Sequence, residues 1–245
     1  MCNMEAPLII AHRGASVQAP ENTLAAFILA YDQKADMIEL DVQRSVDGEL
    51  VVFHDETTVQ WDGLSRPVRS CTLADLRTLD IGGERIATLA EVCEFARKAD
   101  IALNVELKQP DIVAESVALL RSYGIAQRTL ISSFYEPALR QLQQFAPTIC
   151  RGYLMGIRTL KPVVRARELW PFLALRRAQA SAWHPSCELP LIQRIIPVVR
   201  RAGYAVNVWT VDDPALMKQL VQWGATGIIT NRPDVAWQSV GSMHK

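Results

Sequence analysis

Two pairs of charged residues interrupt short apolar runs. Glu39 and Asp41 break Met37-Ile38-Glu39-Leu40-Asp41-Val42, and Glu106 and Lys108 close Val105-Glu106-Leu107-Lys108. Residues i and i+2 of a strand share a face. Glu39 and Asp41 therefore point one way, and Ile38, Leu40 and Val42 point the other. Two like charges on one face of a buried strand are costly unless paired or bound to a cation. On a solvent-facing antiparallel strand the same alternation would be ordinary polar surface; on a strand wrapped by helices it predicts an ion site. Glu106 offers either a third ligand or half of a Glu–Lys pair at a strand end. Lys108 offers a phosphate contact or a counter-charge. Three carboxylates without a cysteine or histidine cluster suit one hard divalent cation, Mg²⁺ or Ca²⁺.

His12-Arg13-Gly14 follows the first apolar run, Leu8-Ile9-Ile10. Gly14 permits a sharp exit or a close backbone approach to a ligand. Arg13 carries a planar fork suited to phosphate, or is simply a surface residue after a strand. His54 ends Val51-Val52-Phe53, after the hairpin signal Asp47-Gly48, so the chain folds back beside the Glu39–Asp41 strand. Two of the four histidines thus fall near the acidic pair. A dication beside two histidines, Arg13 and Lys108 describes a phosphate site. The ion polarises a phosphoryl oxygen. One imidazole takes a proton from the nucleophile and the other protonates the leaving oxygen, work that suits groups titrating near neutrality.

Such a site must be positioned by a framework. Apolar runs at 8–10, 37–42, 103–107, 129–132, 149–154, 180–183, 206–210 and 227–230 read as strands. Helix-period stretches separate them at 22–33, 88–98, 111–123, 136–145, 163–179, 191–202 and 214–223. Residues 50–54 form a hairpin partner. Residues 56–85 break the rhythm, with one short helical pattern at 73–79. Strict alternation implies a parallel sheet. Eight such units in 245 residues predict an α/β protein of the (β/α)8 barrel class, one domain over 1–245 with an insertion near 55–85. A doubly wound open sheet is the competing architecture, and no G-x-G-x-x-G turn follows the first strand to support it.

Composition narrows the partners. Lys+Arg and Asp+Glu both number 26. No bulk positive field exists to hold nucleic acid or an anionic bilayer. No apolar run approaches the ~20 residues of a transmembrane span. Cys2, Cys71, Cys93, Cys150 and Cys187 are scattered, with no C-x-x-C, which fits a reducing compartment. Residues 1–7 lack the basic and apolar regions of a secretory signal, and the expected location is the cytoplasm. The sequence carries no signal of oligomeric state.

These residues, with Pro20-Glu21-Asn22-Thr23, His54-Asp55, Trp209-Thr210 and Gly227-Ile228-Ile229-Thr230-Asn231-Arg232-Pro233, make the chain resemble glycerophosphodiester phosphodiesterases of the cytosolic bacterial type. The resemblance spans about residues 8–235. It implies a TIM barrel with a small insertion after the second strand. It also implies hydrolysis of small glycerophosphodiesters to sn-glycerol 3-phosphate and an alcohol. In that pattern His12 and His54 match the acid–base pair, and Glu39, Asp41 and Glu106 match the metal ligands. Arg13 and Lys108 match phosphate contacts. Glu21 matches a support for Arg13, a catalytic histidine or the metal site. Trp209 falls where a ring packs on the glycerol or alcohol group, or else fills the barrel core. The chain departs from the pattern in a shorter insertion, in Val59-Gln60-Trp61-Asp62-Gly63, and in Ala87 where the family commonly has Pro. A barrel that binds phosphodiesters without cleaving them is the alternative, though it would need no histidine pair. Trp183-His184 is expected at the mouth or in the core. Trp170-Pro171-Phe172-Leu173 is expected as a helix break on the barrel or an apolar patch. His244 is expected in a solvated tail.

Overall fold

A computed structural model describes residues 6–156 and 162–241. His244 and Cys2 lie outside the described residues. The elements follow in chain order: β1 Leu8–His12, α1 Leu24–Asp32, β2 Met37–Arg44, β3 Leu50–Val52, α2 Val59–Asp62, α3 Leu73–Leu76, β4 Ala87–Thr88, α4 Leu89–Ala99, β5 Ala102–Leu107, α5 Val113–Ser122 and β6 Thr129–Ser133. Then come α6 Glu136–Phe145, β7 Cys150–Met155, α7 Pro162–Leu169, α8 Phe172–Arg177, β8 Ala182–Pro185, α9 Ile192–Arg201, β9 Ala205–Val208, α10 Pro214–Gln222, β10 Gly227–Thr230 and α11 Pro233–Val240.

Eight of the strands are parallel neighbours in the order β1-β2-β5-β6-β7-β8-β9-β10, and β10 pairs back onto β1. The sheet is therefore a closed cylinder, a (β/α)8 TIM barrel. Local chemistry starts its helices. Thr23 caps α1 by accepting from the Ala26 amide, Thr88 and Glu91 form a reciprocal capping box on α4, and Asp213 caps α10 just before Pro214. The outward strand residues, among them Ile38, Leu40, Val42, Leu103, Val105 and Leu107, pack beneath the helices in one continuous core.

The insertion follows the second barrel strand, as expected, and begins somewhat earlier than residue 55. β3 pairs antiparallel with β2, and β4 pairs antiparallel with β3. The segment has its own small core of Val51, Phe53, Val68, Cys71, Leu76, Leu79, Ile81 and Ile86. The β2–β3 turn is longer than the two-residue hairpin that Asp47-Gly48 suggested. Ser45 N donates to Glu49 O and Gly48 N to Ser45 O, with Gly48 in the left-handed region at φ +89°. Asp47 is used elsewhere in the turn: its carboxylate accepts from Ser45 Oγ and from the Leu73 amide at the start of α3. The helical stretch at 163–179 is two helices, because Pro171 ends one run and starts the next. Trp170 stands exposed at that break with its ring edge-on to Phe172.

Candidate active site

Register brings the acids together. Across parallel neighbours His12 is level with Glu39, and Asp41 is level with Glu106. Adjacent strands lie about 4.8 Å apart, so paired inward residues meet at the barrel's C-terminal mouth. Glu39, Asp41 and Glu106 are all buried, and each has a carboxylate oxygen within 4.8 Å of the others'. This is the convergence that the i, i+2 spacing predicted, with Ile38, Leu40 and Val42 sealed on the opposite face.

Two cations share the cluster. Lys108 Nζ lies 3.1 Å from Asp41 Oδ1 and 2.9 Å from Glu106 Oε1, and Arg13 Nε lies 3.3 Å from Asp41 Oδ2. Asn22 Nδ2 donates to Asp41 Oδ2 at 2.9 Å, and the Arg13 amide donates to Glu39 Oε2 at 2.9 Å. Glu21 grips Arg13 Nη1 with both oxygens, at 2.9 and 3.0 Å. Of the roles the sequence offered Glu21, the bond it makes is to Arg13. Arg13 sits in the left-handed region at φ +57°, and Gly14 follows at φ +85°. A Cβ on Gly14 would lie 2.7 Å from backbone atoms of Ala26, so glycine is needed for this turn to close on α1.

The three acids do not titrate alike. Burial pushes Asp41 up, but Lys108 and Arg13 outweigh it and hold its carboxyl below the usual carboxylate range. Burial, with Asp41 and Glu106 beside it, drives Glu39 well above that range. Burial and the Asp41 charge push Glu106 up to about 7. The protein's own cations thus satisfy Asp41 and leave Glu39 and Glu106 short of positive charge. Among the described residues Glu39 Oε1 and Glu106 Oε2 accept no protein hydrogen bond. Three carboxylates against two cations, with two oxygens uncommitted, is a donor set that fits a hard divalent ion.

The imidazoles flank this cluster. His12 Nδ1 lies 2.7 Å from Asn231 Oδ1, and burial followed by the neighbouring Arg13 charge lowers His12 to about 4. The chain does return to the mouth after β3: Phe53 N bonds to Asp41 O at 3.0 Å. His54 then lines the same crevice as Glu21 and Asn22. Its Nδ1 is 2.8 Å from Asp55 Oδ1. A crevice lined by Glu21, Asn22, His54, Asp55 and Trp61 runs between the insertion and the β1–α1 loop.

The far side of the mouth is different in kind. Trp209 is half-buried at the rim rather than in the core. Its Nε1 donates to His184 O at 2.8 Å, and its ring meets Phe134 edge-on at 5.7 Å between centroids. Gly156 and Ser186 lie on the two strand ends between them, so tightly that a Cβ on Gly156 would be 2.3 Å from the Ser186 Cβ. Trp183 and His184 are both fully buried, Trp183 outside the cylinder and His184 within it, and neither reaches the mouth.

Comparison with known proteins points the same way. The model of the glycerophosphoryl diester phosphodiesterase family matches residues 12–235. The chain belongs to this family. A glycerophosphodiester phosphodiesterase of Caldanaerobacter subterraneus subsp. tengcongensis is 36% identical over 93% of this chain and 95% of its own. The crystal structure of a glycerophosphodiester phosphodiesterase from Agrobacterium tumefaciens is 33% identical, with TM-score 0.77 over 94% of this chain and 98% of the other. An Oleispira antarctica phosphodiesterase in complex with the product sn-glycerol-3-phosphate is 29% identical, with TM-score 0.84 over 96% and 97%. No helix among the described residues of this family member is long and apolar enough to cross a membrane.

Residue type alone does not single out four polar partners at the family member's site. Asn22 and Asn231 occur inside the motifs that carried the resemblance, yet neither was singled out, because an amide beside an acid or a histidine has no spacing signature. Asp55 and Asp212 were overlooked for the same reason. A carboxylate next to a candidate catalytic histidine in sequence, as in His54-Asp55, is the one signal that carries.

Proposed function

We propose that this chain hydrolyses glycerophosphodiesters to sn-glycerol 3-phosphate and an alcohol, using one divalent cation, Mg²⁺ or Ca²⁺, held by Glu39, Asp41 and Glu106. The observation that carries the reading is the buried acidic trio, with oxygens within 4.8 Å of one another, flanked by two imidazoles. When bound, the ion offsets the excess carboxylate charge and polarises a phosphoryl oxygen. The remaining work belongs to side chains. Arg13, with Nη1 and Nε already committed to Glu21 and Asp41, presents Nη2 to a phosphate oxygen. Lys108 supplies a second positive charge on the same face. His12, bonded through Nδ1 to an amide oxygen, has Nε2 with which to take a proton from the attacking oxygen as the new P–O bond forms. His54, held at Nδ1 by the Asp55 carboxylate, gives its proton to the alcohol oxygen as the old P–O bond breaks. Trp209 and Phe134 form an apolar wall for the carbon skeleton. The whole chain acts as one barrel unit, the insertion roofs the leaving-alcohol side, and the scattered free thiols suit the cytoplasm.

The test incubates purified protein with glycerophosphocholine and Mg²⁺ or Ca²⁺ and couples glycerol 3-phosphate release to a dehydrogenase. Metal-dependent release is expected. Failure to turn over any glycerophosphodiester in the presence of either metal would falsify the reading, and tight binding without turnover would mark a binding barrel instead.

A further inference from the structure

The hydrogen bond between His12 Nδ1 and Asn231 Oδ1 raises a question of orientation. A side-chain amide can meet an imidazole with its oxygen or with its nitrogen, and the two choices demand opposite histidine tautomers. A third residue decides. Asp212 Oδ2 accepts from Asn231 Nδ2 at 2.7 Å, while Asp212 Oδ1 accepts from the Asn231 amide at 2.8 Å and from Thr230 Oγ1 at 2.9 Å. A carboxylate only accepts. Turned the other way, the Asn231 amide would set its oxygen against Asp212 Oδ2 with no proton between them. Ser16 Oγ lies 3.0 Å from Asn231 Oδ1 and 2.8 Å from His12 O, but its single proton serves only one of them, so the choice rests on Asp212. The Asn231 oxygen therefore faces His12, the His12 proton resides on Nδ1, and Nε2 keeps its lone pair.

We propose that Asp212 and Asn231 are positioning residues: Asp212 fixes the direction of the Asn231 amide, and that amide fixes the Nδ1–H tautomer of His12. The relay rests on the reading of His12 as the base, and it explains how a base can be held ready without a carboxylate at its back. His54 uses the other arrangement, with Asp55 bonded directly to the ring. Neither Asp212 nor Asn231 acts on substrate in this scheme.

The relay predicts a reversal and its rescue. In Asp212→Asn, the oxygen that serves two donors stays where it is, and an NH₂ replaces Oδ2. That NH₂ faces the Asn231 NH₂, so the Asn231 amide turns over and presents its nitrogen to His12. The imidazole must then accept at Nδ1 and carry its proton on Nε2, which removes the base. In Asp212→Asn/Asn231→Asp, the new amide donates to the new carboxylate, and the carboxylate's other oxygen again accepts from His12 Nδ1.

The experiment records imidazole nitrogen chemical shifts of histidine-labelled protein at about pH 8, where an imidazole is neutral, alongside steady-state kinetics and circular dichroism. Wild type is expected to show a protonated-type Nδ1 and a lone-pair-type Nε2 for His12. Asp212→Asn is expected to exchange the two and to lower kcat by at least about 10²-fold with little change in KM. The double variant is expected to restore the wild-type shifts and most of kcat, a recovery that general damage to the fold would not give. A lone-pair-type Nδ1 in wild type overturns the relay, even if a variant fails to fold. So does Asp212→Asn with wild-type shifts and kcat, or a double variant no better than the single one. If the shifts reverse and recover as stated but no diester is cleaved by any form, the functional reading fails and the relay stands, because the tautomer is read without substrate.

Discussion

The two arcs of the barrel mouth are built on opposite principles. One arc, from β1 through β2 to the end of β5, holds His12, Arg13, Glu39, Asp41, Glu106 and Lys108, every one of them ion-paired or hydrogen-bonded to a polar partner. The other, at the ends of β6 to β9, holds among the described residues Phe134, Gly156, Ser186 and Trp209; the indole donates to His184 O and meets Phe134 edge-on, and Ser186 Oγ accepts from the Glu188 amide. The charged arc is buried at a cost that mutual pairing offsets only in part. The apolar arc is cheap to desolvate and offers shape rather than charge. In the proposed function, reaction and recognition fall on different strands, and they should fail separately under mutation.

The largest effect is expected on the charged arc. Chelation, or His54→Ala, should lower kcat by roughly 10²–10⁴-fold, measured by glycerol 3-phosphate release. An effect under tenfold would remove His54 from proton transfer. A smaller effect is expected across the mouth. Trp209→Ala should raise KM by about fivefold, from an aromatic contact worth ~1 kcal/mol, with kcat changed far less. A kcat loss as deep as that of His54→Ala would erase the division between the arcs.

Two further tests concern the lumen beneath both arcs. A Cβ on Gly152 would lie 2.6 Å from His184 Cε1, in a place where the ring is fully buried. Gly152→Ala should therefore destabilise the fold by about 1–3 kcal/mol, seen as a lower urea midpoint. An unchanged midpoint would mean that the lumen has slack. His184 itself gives the most modest signal. Burial lowers it to about 3, so the folded protein keeps it neutral while the unfolded chain protonates it near its ordinary value. Its contribution is complete above about pH 6.5 and is lost as pH falls toward its folded value, with a slope approaching ~1.4 kcal/mol per pH unit. His184→Gln, which can still accept from Asn207 Nδ2, should flatten the stability–pH curve in that window relative to wild type. An identical slope would show that His184 takes up its proton in the folded state.

The charged arc was far more legible than the apolar one. Glu39 and Asp41 announced themselves because charge inside an apolar strand is energetically conspicuous. Phe134 did not, because an aromatic after Ser132-Ser133 is as compatible with a core as with a rim. Trp209 was placed between the two and proves to be at the rim. The turn at Ser45–Glu49 is longer than Asp47-Gly48 alone implies, since the Asp47 carboxylate binds Ser45 and the start of α3 rather than closing a tight turn. β4 went unnoticed because two residues, Ala87-Thr88, carry no period; they become a strand only by pairing with β3.

Sequence alone determined the alternation of strand and helix, the face that each acid occupies, and the presence of two imidazoles close to them in the chain. These are local properties, set by a two-residue period and by side-chain type. Only the closed barrel decided the rest. It made Asp41 level with Glu106 through the pairing of β2 with β5, and it brought Asn231, 219 residues away in sequence, against His12 at the seam where β10 meets β1. Register and closure are cooperative, long-range choices among strands, and no stretch of a single strand encodes them.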